Sequence, residues 1–155
     1  MKWGGWTVSS IIGLESGFPI AIASATNNTG LFSRTQRANP TGADPVTNGS
    51  RETRILNRWL NPAAYEVPPA FTLGTGPRTD GRVRGPHRNN VDLAVMKAVP
   101  LGGRLTGEVR LEVLNLTNTV KVIGPLHTAS NAAFGQIRTQ SGFMRITQVM
   151  VRIGY

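Results

Sequence analysis

Glu108 and Glu112 are the most closely spaced carboxylates of a 155-residue chain that holds only eight acidic residues, and Arg110 stands between them. Alternate residues of a strand lie on one face roughly 7 Å apart, so a paired-carboxylate hydrolase is the first chemistry to weigh. Arg110 argues against it. A neighbouring cation favours the charged form of both acids, while a general acid must hold its proton. A ladder of opposite charges along one wet face is the simpler reading. His87 and His127 are the only histidines, far apart and without cysteine or close carboxylates, so no metal site is expected. The run Arg78-Thr-Asp-Gly-Arg82-Val-Arg84-Gly-Pro-His-Arg88 interleaves arginine with glycine and can meet phosphates. It has no aromatic residue for base stacking, which favours a solvated loop over a nucleic-acid groove. There is no Walker sequence, nucleophile elbow or dinucleotide fingerprint. Neither a catalytic residue nor a cofactor is expected. The triplets starting at Asn27, Asn48 and Asn115 match the glycosylation pattern, which recurs by chance.

The elements that position these residues show in the periodicity. Val149, Val151, Ile153 and Tyr155 fall on one side of the final stretch, and Gln148, Arg152 and Gly154 on the other. Period-two alternation marks a strand with two different faces. In the stretch 104–116, Leu105, Val109, Leu111 and Val113 share one side, and Thr106, Glu108, Arg110 and Glu112 the other. Residues 90–99 and 6–14 alternate in the same way, with Lys97 on an apolar side, from which a lysine must snorkel. Trp3 and Trp6 suit a membrane-interface belt as well as they suit an ordinary core. Between the strands lie dense turn signals, among them Asn39-Pro-Thr-Gly42, Pro68-Pro69 and Gly74-Thr-Gly-Pro77. A short helix is expected near residues 58–65, with Trp59, Leu60 and Tyr65 turned inward.

The sequence therefore predicts an all-β fold, an antiparallel up-and-down meander of about four strands. Long connections follow the first and third strands, and the tight Pro100-Leu-Gly-Gly103 turn follows the second. Long loops then gather on one side of the sheet, the asymmetry of a membrane barrel. Connections in compact domains have a median of about 4–6 residues, so loops this long need a reason. Composition agrees. Charged residues make up 16% of the chain, below the roughly 25% of soluble domains, and a net charge of +9 points to acidic partners. Absent cysteine excludes disulfides and thiolate chemistry. No apolar run reaches the roughly 18 residues of a membrane helix. The start at Met1 does not read as a signal peptide, which suggests a piece of a longer exported protein.

The ordered set Gly5-Trp6-Thr7-Val8-Ser9, Ser16-Gly17-Phe18-Pro19, Arg58-Trp-Leu-Asn-Pro-Ala-Ala-Tyr65, Arg84-Gly-Pro86, Asn90-Val-Asp-Leu93, Lys97-Ala-Val-Pro-Leu-Gly102, Arg110-Leu-Glu-Val-Leu-Asn-Leu-Thr-Asn118, Phe134-Gly-Gln-Ile137 and the aromatic terminus resembles the C-terminal end of TonB-dependent outer-membrane receptors. It is nearest to their Oar-like, carboxypeptidase-regulatory-domain-bearing branch. The resemblance spans nearly the whole chain, although Leu60, Val99 and Leu114 stand where aromatics are usual. It implies that residues 1–155 are the last strands of a barrel of about 22 strands, in the outer membrane of a Gram-negative bacterium, importing a scarce nutrient. Plug and N-terminal regions would lie elsewhere, as would the segments that engage the energy-transducing TonB complex. Glu108, Arg110, Glu112 and Arg152 would face the lumen. Leu105, Val109, Leu111 and Val113 would face lipid. Val149, Val151, Ile153 and Tyr155 would form the terminal signal read by the barrel-assembly machinery. Partners would be outer-membrane lipid, lipopolysaccharide, and the rest of the barrel and plug, with no nucleic acid. The alternative is a small basic β-rich module that binds nucleic acid or another polyanion.

Overall fold

The computed structural model describes all residues except 1, 26, 31, 33 and 34, and describes the backbone only of Lys2 and Trp3. Two compact units divide the chain. One combines residues 1–15, 88–121 and 141–155, and the other 16–87 and 122–140.

The first unit is a five-stranded antiparallel sheet. Its strands are β1 (Lys2–Trp3), β2 (Trp6–Glu15), β7 (Arg88–Gly102), β8 (Leu105–Leu114) and β9 (Ile146–Gly154), in that order across the sheet. Each long strand pairs with its neighbour in the chain's order, as an up-and-down meander requires. The four long strands carry 10, 15, 10 and 9 residues, and a tilted strand needs about 9–11 to cross a bilayer. The alternation seen in the sequence becomes a register. Trp6 stands opposite Lys97, Lys97 opposite Val109, and Val109 opposite Val151. Val8, Val95, Leu111 and Val149 form the next row, and Ser9, Ala94, Glu112 and Gln148 a row on the other face. The two tight turns rest on glycine. Gly4 and Gly5 join β1 to β2 with φ of 51° and 79°, the paired positive values of a type I′ hairpin. Gly103 and Arg104 join β7 to β8, and Gly102 and Gly103 take positive φ there.

The second unit contains little regular structure. It holds the two-residue pairs β3 (Ala23–Ser24) with β4 (Gln36–Arg37) and β5 (Asn39–Pro40) with β6 (Tyr65–Glu66). It also holds one short helix, α1 (Arg51–Leu56), and a 3-10 turn at Pro62–Ala64. The helix expected near 58–65 is therefore displaced. Ser50 caps α1, its hydroxyl accepting from the Thr53 N–H at 3.2 Å, and Glu52 occupies the first turn, where a helix favours negative charge. The 58–65 stretch cannot continue as helix because the residue before Pro62 is driven to an extended backbone. Asn61 has ψ of 117° and its side chain accepts from the Ala63 N–H.

This loop-rich unit has its own core. Leu60 and Val83 are fully buried and Phe134 is 2% exposed, packed with Ile22, Ala38 and Trp59. The Tyr65 and Phe134 rings meet edge to face with centroids 5.9 Å apart. Segments that read as separate motifs are pegged together here. The Arg58 guanidinium donates to the Phe134 carbonyl at 2.8 Å, the Trp59 indole to the Arg84 carbonyl at 2.6 Å, and the Trp59 N–H to the Gly135 carbonyl at 2.7 Å. Gly135 lies at φ 78°, and a Cβ there would collide with the Leu60 carbonyl, so only glycine fits.

Candidate functional site

The sheet presents two chemically distinct faces. On one, β2 contributes Trp6, Val8, Ile12 and Leu14, β7 contributes Val91 to Val99 at alternate positions, β8 contributes Leu105, Val109, Leu111 and Val113, and β9 contributes Val149, Val151 and Ile153. Most of these side chains are open: Val109 is 47% exposed, Val151 69% and Ile153 68%. Val113 is buried. Tyr155 follows β9 and is fully exposed. Contiguous apolar area on this scale is rare on a soluble monomer. Among the described residues these side chains do not form the buried core of a sandwich.

The opposite face carries the polar ladder. Arg110 lies 3.1 Å from Glu112 and 3.6 Å from Glu108. The Gln148 amide of β9 donates to Glu112, which ties a second strand to the ladder. Arg152 stands opposite Glu108 in the register. Both carboxylates are engaged with Arg110 on this ladder rather than aimed at a common enclosed point. Met96, Met150 and Ile11 interrupt this face with apolar side chains.

Where β7, β8 and β9 meet the second long connection, the sequence pattern conceals a lock. Asn115 takes φ 53° and is 4% exposed. Its amide donates to the carbonyls of Thr119 and Phe143 and accepts from the Thr119 N–H. Its own N–H donates to Asp92 at 2.8 Å. Asp92 also accepts from Asn90, which in turn accepts from the Lys121 ammonium at 2.6 Å. These groups line a cavity of about 190 Å³ with Phe143 and Met144. The Asn115 amide is thus consumed inside the fold, whatever the triplet pattern suggests. Asparagine suits the position because it tolerates the left-handed backbone and can bond locally.

The loop unit holds both histidines and the arginines from Arg78 to Arg84. Among the described residues no three His, Cys, Asp or Glu side chains cluster as metal ligands. Arg82 pairs with Asp80 at 2.7 Å, and this hydrogen bond, with one from the Arg82 N–H, holds the Asp80 carboxyl below the ordinary aspartate range. Arg84 is spent on the carbonyls of Gly81 and Gly17. Arg54 lies 3.8 Å over the Trp59 ring, and partial burial lowers its pKa.

The family model of the outer membrane beta barrel domain matches residues 2–148. The chain belongs to this family. No curated protein and no solved structure matches it. Membership places this barrel domain in the outer membrane. Its antiparallel meander, its tight turns at one end of the strands and its long connections at the other are what such a domain requires. Among the described residues no helix is long and apolar enough to cross a membrane.

Proposed function

We propose that this domain is the C-terminal part of the barrel of a TonB-dependent receptor that takes up a scarce nutrient. The observation that carries the reading is the registered two-faced sheet, joined to the ordered motifs that resemble that receptor class over nearly the whole chain. In this reading Leu105, Val109 and Leu111 meet lipid, whereas Val113, expected on the same face, is buried and does not. Glu108, Arg110, Glu112 and Arg152 line a wet lumen, where a charge ladder needs no burial. Val149, Val151, Ile153 and Tyr155 are offered to the barrel-assembly machinery. The five strands cannot close alone, since the smallest such barrels use about 8. The outer edge of β9 therefore awaits a partner strand from the remaining barrel. Transport would draw on a plug and on segments that contact the energy-transducing complex. The domain supplies wall and loops and no catalytic group.

The test is genetic and then biochemical. The reading frame upstream of Met1 should continue into further alternating strands and a plug. The full product should fractionate with the outer membrane, and uptake of its nutrient should need the TonB complex. Recovery of the full product in the soluble fraction, or uptake indifferent to loss of that complex, would sink the proposal.

A further inference from the structure

Lys97 is the single charged residue on the apolar face of β2, β7, β8 and β9. Among the described residues no carboxylate pairs with it. Its ammonium donates to the Gly4 carbonyl at 2.7 Å and sits 4.9 Å over the Trp6 ring. The bond to Gly4 draws the charge out of the apolar rows and toward the Gly4–Gly5 turn, as a snorkelling lysine should run. An ammonium has three donors, so the carbonyl leaves donor capacity over. Trp6 is 46% exposed, so the pair stands open on the surface. The geometry points to a lipid phosphate site: Lys97, backed by the Trp6 indole and the Gly4 carbonyl, holds the phosphate of an anionic glycerophospholipid headgroup. The site lies at the tight-turn end of β2. Tight turns mark the periplasmic side of such barrels, so the occupant is a glycerophospholipid of that leaflet rather than lipopolysaccharide. A phosphate supplies the counter-charge that the protein withholds, and the flanking apolar rows accept the acyl chains. This inference rests on the lipid-facing reading of that surface.

The test uses the complete barrel protein that carries these residues, in nanodiscs of phosphatidylcholine and phosphatidylglycerol in equal amounts. Lipid retained by the purified protein is weighed against bulk lipid by mass spectrometry, and quenching by acyl-brominated lipid is compared between the wild type and Trp6→Phe. One basic residue near a membrane surface is worth about a fivefold preference for anionic lipid. That enrichment should appear in the wild type, vanish in Lys97→Met and survive in Lys97→Arg. Methionine suits an apolar strand face, so unchanged far-UV circular dichroism in Lys97→Met serves as the folding control. Equal enrichment in Lys97→Met, with Trp6 still quenched, would overturn the phosphate site and leave the surface reading standing. No quenching at Trp6 would remove the surface reading and the site with it.

Discussion

The sheet and the loop unit solve opposite problems. The sheet has nearly ideal backbone pairing and leaves its apolar side chains open, with Val149 67% exposed. The loop unit has almost no regular pairing yet buries a core of its own around Leu60, Val83 and Phe134, while Phe18, Phe71 and Leu73 stay open. Backbone order and core formation are thus separated between two parts of one chain. In a soluble domain each element needs both, because open apolar rows are unfavourable in water. The separation is what the proposed lipid contact asks of the sheet's apolar face, while the loop unit forms a core among its own residues.

That contrast makes unequal demands on mutation, and the largest should fall on the loop unit. Phe134→Ala should cost about 3–5 kcal/mol, the range for an aromatic removed from a core. The loss should show as faster proteolysis within residues 16–87, with the strand signal in circular dichroism retained. A uniform collapse of both signals would break the comparison, because the sheet would then depend on that core. Next come the two faces of β9. In bilayers Val151→Arg should cost about 2–4 kcal/mol if its face meets the lipid midplane, read by urea titration of the complete barrel refolded in vesicles. Gln148→Arg, on the polar face, should cost far less. Equal costs would abolish the distinction between faces. Asn115→Ala should cost about 1–3 kcal/mol, since buried hydrogen-bond partners lose their mate and alanine resists the left-handed backbone. Asn115→Gly should recover only the backbone share, leaving the Thr119 and Phe143 carbonyls unserved. Full recovery by glycine would show that the amide bonds contribute nothing.

The sheet was legible in the sequence and the loop unit was not, for one physical reason. A strand's faces repeat every second residue, so Leu105 to Val113 and Val149 to Ile153 show their sides by counting. The core of the loop unit draws Ile22, Val83 and Phe134 from separated turns. No period links them, and dense turn residues read only as length. The inward turn of Trp59 and Leu60 was visible as isolated aromatic and apolar residues among polar ones. The hydrophobicity near Trp59 points to a helix about two turns too late, because it outweighs the Ser50 cap and the acidic first turn that do start one. Lys97 was legible as an oddity on an apolar side, but its partner Gly4 lies 93 residues away and follows only from register. At Asn115 the sequence shows a common triplet, and only the positive φ and the buried amide reveal a lock.

The smallest expected effect belongs to the surface of the loop unit. Asp80 lies below the ordinary aspartate range chiefly through its side-chain hydrogen bond with Arg82, then through the Arg82 N–H. A carboxyl with a depressed folded-state pKa stabilises the fold above the unfolded-state value, and that contribution disappears as pH falls through the folded-state value. Acidification below the ordinary aspartate range should therefore loosen the Asp80–Arg84 turn first at this pair, with nothing gained or lost between neutral and mildly acidic pH. The Arg82 side chain is largely solvated, so screening keeps the effect small. Amide exchange at Arg82 and Val83, whose N–H groups donate to Asp80, should quicken in acid relative to the exchange rate expected for open chain at the same pH. Asp80→Asn should remove most of that pH dependence and, unlike Phe134→Ala, leave the core of the unit protected. If Asp80→Asn instead exposed Leu60 and Phe134 to exchange, the core would depend on a surface ion pair, and the self-sufficiency ascribed to the loop unit would fail.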